Sequence, residues 1–210
     1  MFSLIRSLAL FATVSVAPFV YADNPLPNPG FELGQDGWAS FVPPAHAGAK
    51  VQWIIANEDP HSGAACAVMK SDEPVRWALS SKRSVQVLPG EKYRIQGWVE
   101  FAKDVKIEQG NPGAYIRVTL LEALGKSATD PLGNIHVGLA GVARNPSVSK
   151  LFVPQLPSGW QKIDAVVEIP ANISSVAIAL FSHGITGAIS WDDVSFELVD
   201  PKTPLSKVLE

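Results

Sequence analysis

Cysteine is almost absent. Cys66 is the only one in 210 residues, which excludes an internal disulfide and a thiolate zinc site built by this chain alone. In its Ala-rich run Cys66 reads as a small buried hydrophobe. Charge is sparse as well: charged residues make up 18%, and 17 Lys+Arg against 20 Asp+Glu leave a net charge of −3. With no Lys/Arg run or basic stripe, a nucleic-acid partner held through its phosphates is not expected. Gly-x-Ser-x-Gly and His-Glu-x-x-His are missing. The four histidines, His46, His61, His136 and His183, are scattered without metal-ligand spacing. Beyond the N-terminus no apolar stretch is long enough to span a bilayer.

What is present is hydrophobic and rich in turn formers. Hydrophobic residues make up 47%, with 16 Gly and 17 Pro. That composition is globular and suits many short strands joined by turns. Met1 to Ala22 has the pattern of a secretory signal. Arg6 precedes an apolar run from Leu8 to Val20, and Val20-Tyr21-Ala22 supplies a cleavage site. The expectation is an extracellular or periplasmic protein with one domain over residues 23–200 and a frayed tail over 201–210.

Period-2 alternation dominates the remainder. It marks strands at Val51–Ile55, Arg83–Leu88, Tyr93–Phe101, Ala114–Leu121, Val166–Ile169, Val176–Leu180 and Ile189–Leu198. Pro89-Gly90 forms a turn between two of them. Nine or ten such strands, with no long internal repeat, predict an all-β jelly-roll sandwich of two antiparallel sheets. Gly125 to Pro157 has little periodicity and is expected to be a long loop over one end or face.

The mature chain opens Asn28-Pro29-Gly30-Phe31-Glu32, then Gly37-Trp38 and Pro60-His61-Ser62-Gly63-Ala64-Ala65. Leu88-Pro89-Gly90-Glu91-Lys92-Tyr93, Gly97-Trp98-Val99, Gly159-Trp160 and Ile169-Pro170 follow, and it closes Ser190-Trp191-Asp192-Asp193-Val194-Ser195-Phe196. In this order, over about residues 24–199, these pieces resemble the carbohydrate-binding modules of the family 4, 9, 16 and 22 group. The resemblance implies a galactose-binding-like jelly roll, a structural Ca2+, and non-catalytic binding of a polysaccharide or oligosaccharide on a sheet face or at loop tips. It also implies secreted glycoside hydrolases as partners.

In such a sandwich the first and last strands run side by side, so Glu32 and Asp192 are expected to meet. Calcium takes hard oxygens, and the His61-Ser62-Gly63 turn, Ser62 among it, would add hydroxyl or carbonyl donors. Strict alternation sends Asp192 and Asp193 to opposite faces. The resemblance favours Asp192 as the ligand, with Asp193 as the alternative.

A sugar binder needs flat aromatics for C–H faces and planar polar groups for hydroxyls. Trp98 shares its register with Arg94, Gln96 and Glu100 and is a platform candidate. Tyr115 and Arg117 share a face of the next strand. Trp77 is a further candidate, although its parity and that of Trp53 favour the core. Trp38, Trp160 and Trp191 read as packing residues. Two other classes remain open. One is a hydrolase or lyase on a jelly roll, for which Tyr115-Ile116-Arg117 and Asn134-Ile135-His136 are the relevant pieces. The other is an adhesive or structural surface protein lacking an aromatic-polar groove.

Overall fold

A computed structural model describes residues 24–122, 134–144, 148–151 and 156–209. The expected signal segment lies outside the described residues. Thirteen strands are present among those described: β1 (Trp38–Phe41), β2 (Val51–Ala56), β3 (Cys66–Ser71), β4 (Arg76–Ser81), β5 (Val85–Gln86), β6 (Lys92–Phe101), β7 (Lys106–Ile107), β8 (Gly113–Leu121), β9 (Ile135–Gly138), β10 (Gly141–Ala143), β11 (Gln161–Glu168), β12 (Ser175–His183) and β13 (Ile185–Leu198). They form two antiparallel sheets. One has the order β1-β4-β12-β8-β9-β10, with β5 beside β12. The other has the order β11-β6-β13-β3-β2, with β7 beside β13. This is a jelly-roll β-sandwich. Among the described residues no helix is long and apolar enough to cross a membrane.

Alternation explains the packing. Along β6, Tyr93, Ile95, Val99 and Phe101 are buried while Arg94, Gln96, Trp98 and Glu100 are partly exposed. The inner residues of both sheets meet in one core that includes Trp38, Trp77, Trp191, Ile116, Leu180 and Phe196. Trp77 is 0% exposed. It therefore lies in the core and offers no ring to a ligand, which corrects its candidacy. Trp53 is partly buried against the same core. Cys66 is buried, and burial pushes its thiol up to about 11, so it stays neutral. The Pro89-Gly90 turn forms, with Gly90 at φ +80 and the Leu88 N–H donating to Tyr93 Oη.

Two expectations need correction. The region 125–157 is not one long loop, because its described residues include β9 and β10, which complete the larger sheet; 125–133, 145–147 and 152–155 lie outside the described residues. Only Ile135-His136-Val137 alternates there, and strands of four and three residues leave too short a pattern to read. Nor is the tail frayed. Ser206 N donates to the Val166 carbonyl, and Val166 N donates to Ser206 Oγ. Val208 then bridges Val142 in parallel, and Leu209 N donates to the Val142 carbonyl. The tail thus pairs with an edge strand that would otherwise present open donors and acceptors.

Candidate functional site

Two places gather polar and aromatic side chains. The first lies where the N-terminal loop meets β13. Asn28 sits at φ 46. Its side-chain amide donates to the Gly34 and Asp36 carbonyls, and its Oδ1 accepts from Leu33 N. The fully buried Phe31 packs on Trp38 with ring centroids 5.4 Å apart. This folded turn holds Glu32 against the loop after β2, where Oε1 accepts from Ala64 N at 2.9 Å and Ala65 N at 3.2 Å. From the other side Asp192, 0% exposed, accepts through Oδ2 from His61 N at 3.0 Å and Ser62 N at 3.2 Å. Its Oδ1 accepts from Asp193 N at 2.8 Å. Burial pushes the Asp192 carboxyl up to about 6, against the pull of the Ser62, Asp193 and His61 backbone donors.

Alternation fails at this point. A bulge interrupts the β6–β13 register between Asp192 and Ser195, and Asp193 adopts φ 46. That left-handed residue turns the Asp193 side chain toward the same loop. Its Oδ2 accepts from His61 Nδ1 at 2.6 Å and its Oδ1 from Ser62 Oγ at 2.9 Å. Asp192 and Asp193 therefore serve one loop rather than opposite faces. A Cβ on Gly30 would lie 3.4 Å from Asp193 Oδ1 and 3.7 Å from Asp192 Oδ1, so both carboxylates reach this glycine.

The donors are of the kind calcium takes: carboxylates, a hydroxyl and loop carbonyls. A fully buried carboxylate with no Lys or Arg pairing to it among the described residues fits a cation. Against that, N–H donors already hold Glu32 Oε1 and both Asp192 oxygens. Ser62 Oγ is turned to Asp193. Among the described residues no group of three His, Cys, Asp or Glu stands at metal-holding distance.

Trp98 borders this loop. His61 stacks on it with centroids 3.8 Å apart and planes 19° apart, and Trp160 meets His61 edge-on at 5.8 Å. Gln96 donates to Asp164 Oδ2 at 2.8 Å. Trp98 and Gln96 thus belong to the outer face of the six-stranded sheet, and one face of the indole is taken by His61.

The second place is the outer face of the seven-stranded sheet, and it holds Tyr115 and Arg117. The structure does not bring these together with Trp98 and Gln96, because the two pairs lie on opposite sides of the sandwich. Register sets three rows on this face. His136, Arg117, Ala179 and Ser80 form one, and Gly138, Tyr115, Phe181, Ala78 and Phe41 form the next. Gly113, His183 and Arg76 form the third. In the middle row Tyr115 and Phe181 stack at 4.9 Å with planes 2° apart. Both rings are covered, whereas Phe41 at the rim is 40% exposed. Arg117 lies over Phe181 at 4.5 Å and Arg76 at 6.0 Å. His136 meets Tyr115 edge-on at 5.5 Å.

Three nitrogens on this face lack a partner: Arg117 Nε, His136 Nδ1 and His183 Nδ1 are buried atoms with no hydrogen-bond partner among the described residues. Burial lowers the Arg117 guanidinium, and neighbouring Arg76 lowers it further. Burial and then Arg117 hold His136 down to about 4. Burial, Arg76, His46 and His136 hold His183 to about 4. Burial pushes the Tyr115 phenol up to about 12. At neutral pH the face is therefore two arginines, two neutral imidazoles and a protonated phenol. The sequence reading missed Phe41, Arg76, Phe181 and His183. They sit on three strands, and only the alternation within each strand marked which way they face.

No family profile matches the chain, and no curated protein matches it. Solved structures do. The fold is the jelly-roll sandwich of carbohydrate-binding modules. A family 16 carbohydrate-binding module is similar at TM-score 0.52 and 14% identity, over 84% of this chain and 100% of that one. The CBM22-1 xylan-binding domain from Paenibacillus barcinonensis Xyn10C is similar at TM-score 0.51 and 16% identity, over 81% and 92%. The enzymatically active domain of bacteriophage CBA120 tailspike protein 4 is similar at TM-score 0.60 and 12% identity, but the match spans 84% of this chain and only 21% of that one.

Proposed function

We propose that the protein binds polysaccharide through the outer face of the seven-stranded sheet, without cleaving it, as an exported module that also holds a structural calcium ion. The observation that carries this reading is the gathering of Arg76, Arg117, His136 and His183 around the Tyr115–Phe181 stack on one sheet face, where three side-chain nitrogens find no hydrogen-bond partner among the described residues. A buried polar group without a partner costs roughly 1–3 kcal/mol, and sugar hydroxyls are suited to supply what is missing. The exposed Phe41 ring adds an apolar platform at the rim. Binding is favoured over base-catalysed cleavage because Tyr115 keeps its proton up to about pH 12. Such a phenol donates a hydrogen bond and is not a base at neutral pH. Export rests on the signal pattern of residues 1–22. Secreted glycoside hydrolases are the partners that this reading suggests.

Affinity electrophoresis through gels holding soluble polysaccharides tests the binding. Retardation without shortening of the polysaccharide supports it. Shortening moves the protein to the enzymes, and no retardation on any gel favours an adhesive or structural role. Calcium is tested by thermal unfolding in calcium chloride and in chelator. Glu32, Asp192 and carbonyls of the 61–65 loop would hold the ion. Binding at 100-fold over Kd adds about 2.7 kcal/mol, an increment that Glu32→Gln should remove. Coincident midpoints with and without calcium would end the proposal.

A further inference from the structure

The same face identifies the chemistry of its ligand, and this step rests on the binding proposed above. The chain as a whole is acidic, with net charge −3. The face is not. Arg76 and Arg117 lie in the two rows that flank the covered Tyr115–Phe181 stack, one on each side of it. The ion pairs among the described residues are His61–Asp193, Arg94–Asp164 and Lys162–Asp164. All three belong to the other side of the sandwich, so neither Arg76 nor Arg117 has a described counter-ion. No Asp or Glu occupies the outer register of β1, β4, β8, β9, β10 or β12. His183, beside Arg76, and His136, beside Arg117, are held neutral by burial and by these arginines, so they add no charge to the face.

The cationic character continues along the sheet. Beyond β10 an open hollow of about 470 Å³ is lined by Lys150, Lys207, Val208 and Leu209. From β4 to β10 is four strand steps, about 19 Å at ~4.8 Å per step. Leu151 and Leu209 pack over the sheet between the two groups, so the arginines and the lysines are two separate cationic contacts, a spacing that suits a repeating anion better than a single charged group. The half-buried Arg117 guanidinium lies over the Phe181 ring at 4.5 Å, and a guanidinium in such a setting suits a planar anion. A carboxylate matches the guanidinium fork, and a hydroxyl does not satisfy the charge.

We infer that the ligand of this face is an acidic polysaccharide whose uronate carboxylates are taken by Arg117 and Arg76, with Lys150 and Lys207 as a second contact farther along the chain. The test is affinity electrophoresis of the full protein in paired gels: polygalacturonate and alginate against neutral galactan and xylan, with dextran sulfate as a second anion. The expected result is retardation by the uronate gels, at least tenfold stronger than by the neutral ones and weakened by salt. Arg76→Gln, at an exposed position, and Arg117→Gln should each weaken it about tenfold or more, as loss of a charged hydrogen bond implies. Arg76→Gln keeps the test valid if Arg117→Gln fails to fold. Equal retardation by neutral gels, unmoved by Arg76→Gln, overturns the inference and leaves polysaccharide binding standing. Stronger retardation by dextran sulfate than by either uronate overturns the carboxylate assignment. Uronate binding that ignores both arginine substitutions places the anion elsewhere and also overturns it. No retardation on any gel overturns the binding reading itself.

Discussion

Acid should destabilise this protein through two histidines, and the size of the effect can be worked from the structure. His136 and His183 are held to about 4 in the folded chain, against about 6.5 in an unfolded one. The groups that face them are Arg117, Arg76, His46 and Tyr115, and the arginines and burial set the direction. Between these two pH limits the unfolded chain binds protons that the folded chain refuses. Stability therefore falls as pH drops from about 6.5 toward 4 and is fully present above 6.5. The difference between about 6.5 and about 4 is worth about 3.4 kcal/mol per histidine at most. Partial exposure reduces that to about 2 kcal/mol each. Other groups titrate in the same window, the raised Asp192 with the opposite sign, so the wild-type curve alone does not isolate the pair. The difference between wild type and a His136→Gln/His183→Gln variant does. Urea unfolding at pH 7.5, 6, 5 and 4.5 should show the variant gaining up to about 4 kcal/mol on the wild type across that range. Parallel curves would refute the reasoning, because they would mean that both imidazoles accept protons in place.

Three further outcomes follow from single side chains. Trp77→Ala empties a fully buried site and should cost about 3–5 kcal/mol in denaturant unfolding. A loss under 1 kcal/mol would place that ring outside the core. Gly63→Ala puts a Cβ 2.0 Å from Glu32 Oε1 at a φ of +62. It should cost about 2 kcal/mol in the same assay, from the left-handed backbone and the displaced acceptor of two N–H groups. Trp98→Ala removes the His61 stack but lies across the sandwich from Arg117. Polysaccharide retardation should therefore survive it, and its loss in a folded variant would move the binding site to the six-stranded sheet.

Much of the architecture was legible because the strands are long where they matter. β6, β8, β12 and β13 each run eight or more residues, and alternation over that length separates core from surface. Along β6 it puts Ile95 and Val99 inside and Trp98 outside, as read. The short strands were illegible for the converse reason. β9 and β10 hold four and three residues among Gly, Asn and Ser, where a period of two cannot be told from chance. Asp193 was misjudged for a different cause. Alternation assumes β-region backbone at every step, and a bulge residue at φ 46 breaks it without any glycine to announce the break. The tail was misjudged because its partners, Val166 and Val142, are distant in sequence and its own residues carry no pattern.

The candidate binding face shows why facing is easier to read than adjacency. Tyr115 and Arg117 share parity, which the sequence displays, and so do Phe181 and His183 within β12. That β12 lies between β4 and β8, and that Arg117 stands opposite His136, depends on strand order and register. Neither is encoded locally in a sandwich whose partners come from far apart in the chain. Chain order makes β8 the next long strand after β6, an order that would set Tyr115 beside Trp98 if successive strands were neighbours. In this topology β6 and β8 lie in different sheets, so parity correctly turned both residues outward and still put them on opposite surfaces. The same crossing of the chain between sheets leaves the two surfaces with different chemistry. Every ion pair among the described residues lies on the six-stranded side, while Arg76 and Arg117 have no described counter-ion on the other, beside histidine nitrogens without a partner among the described residues. That contrast is why the seven-stranded face, rather than the one that holds Trp98, is the surface proposed here for a partner bringing negative charge.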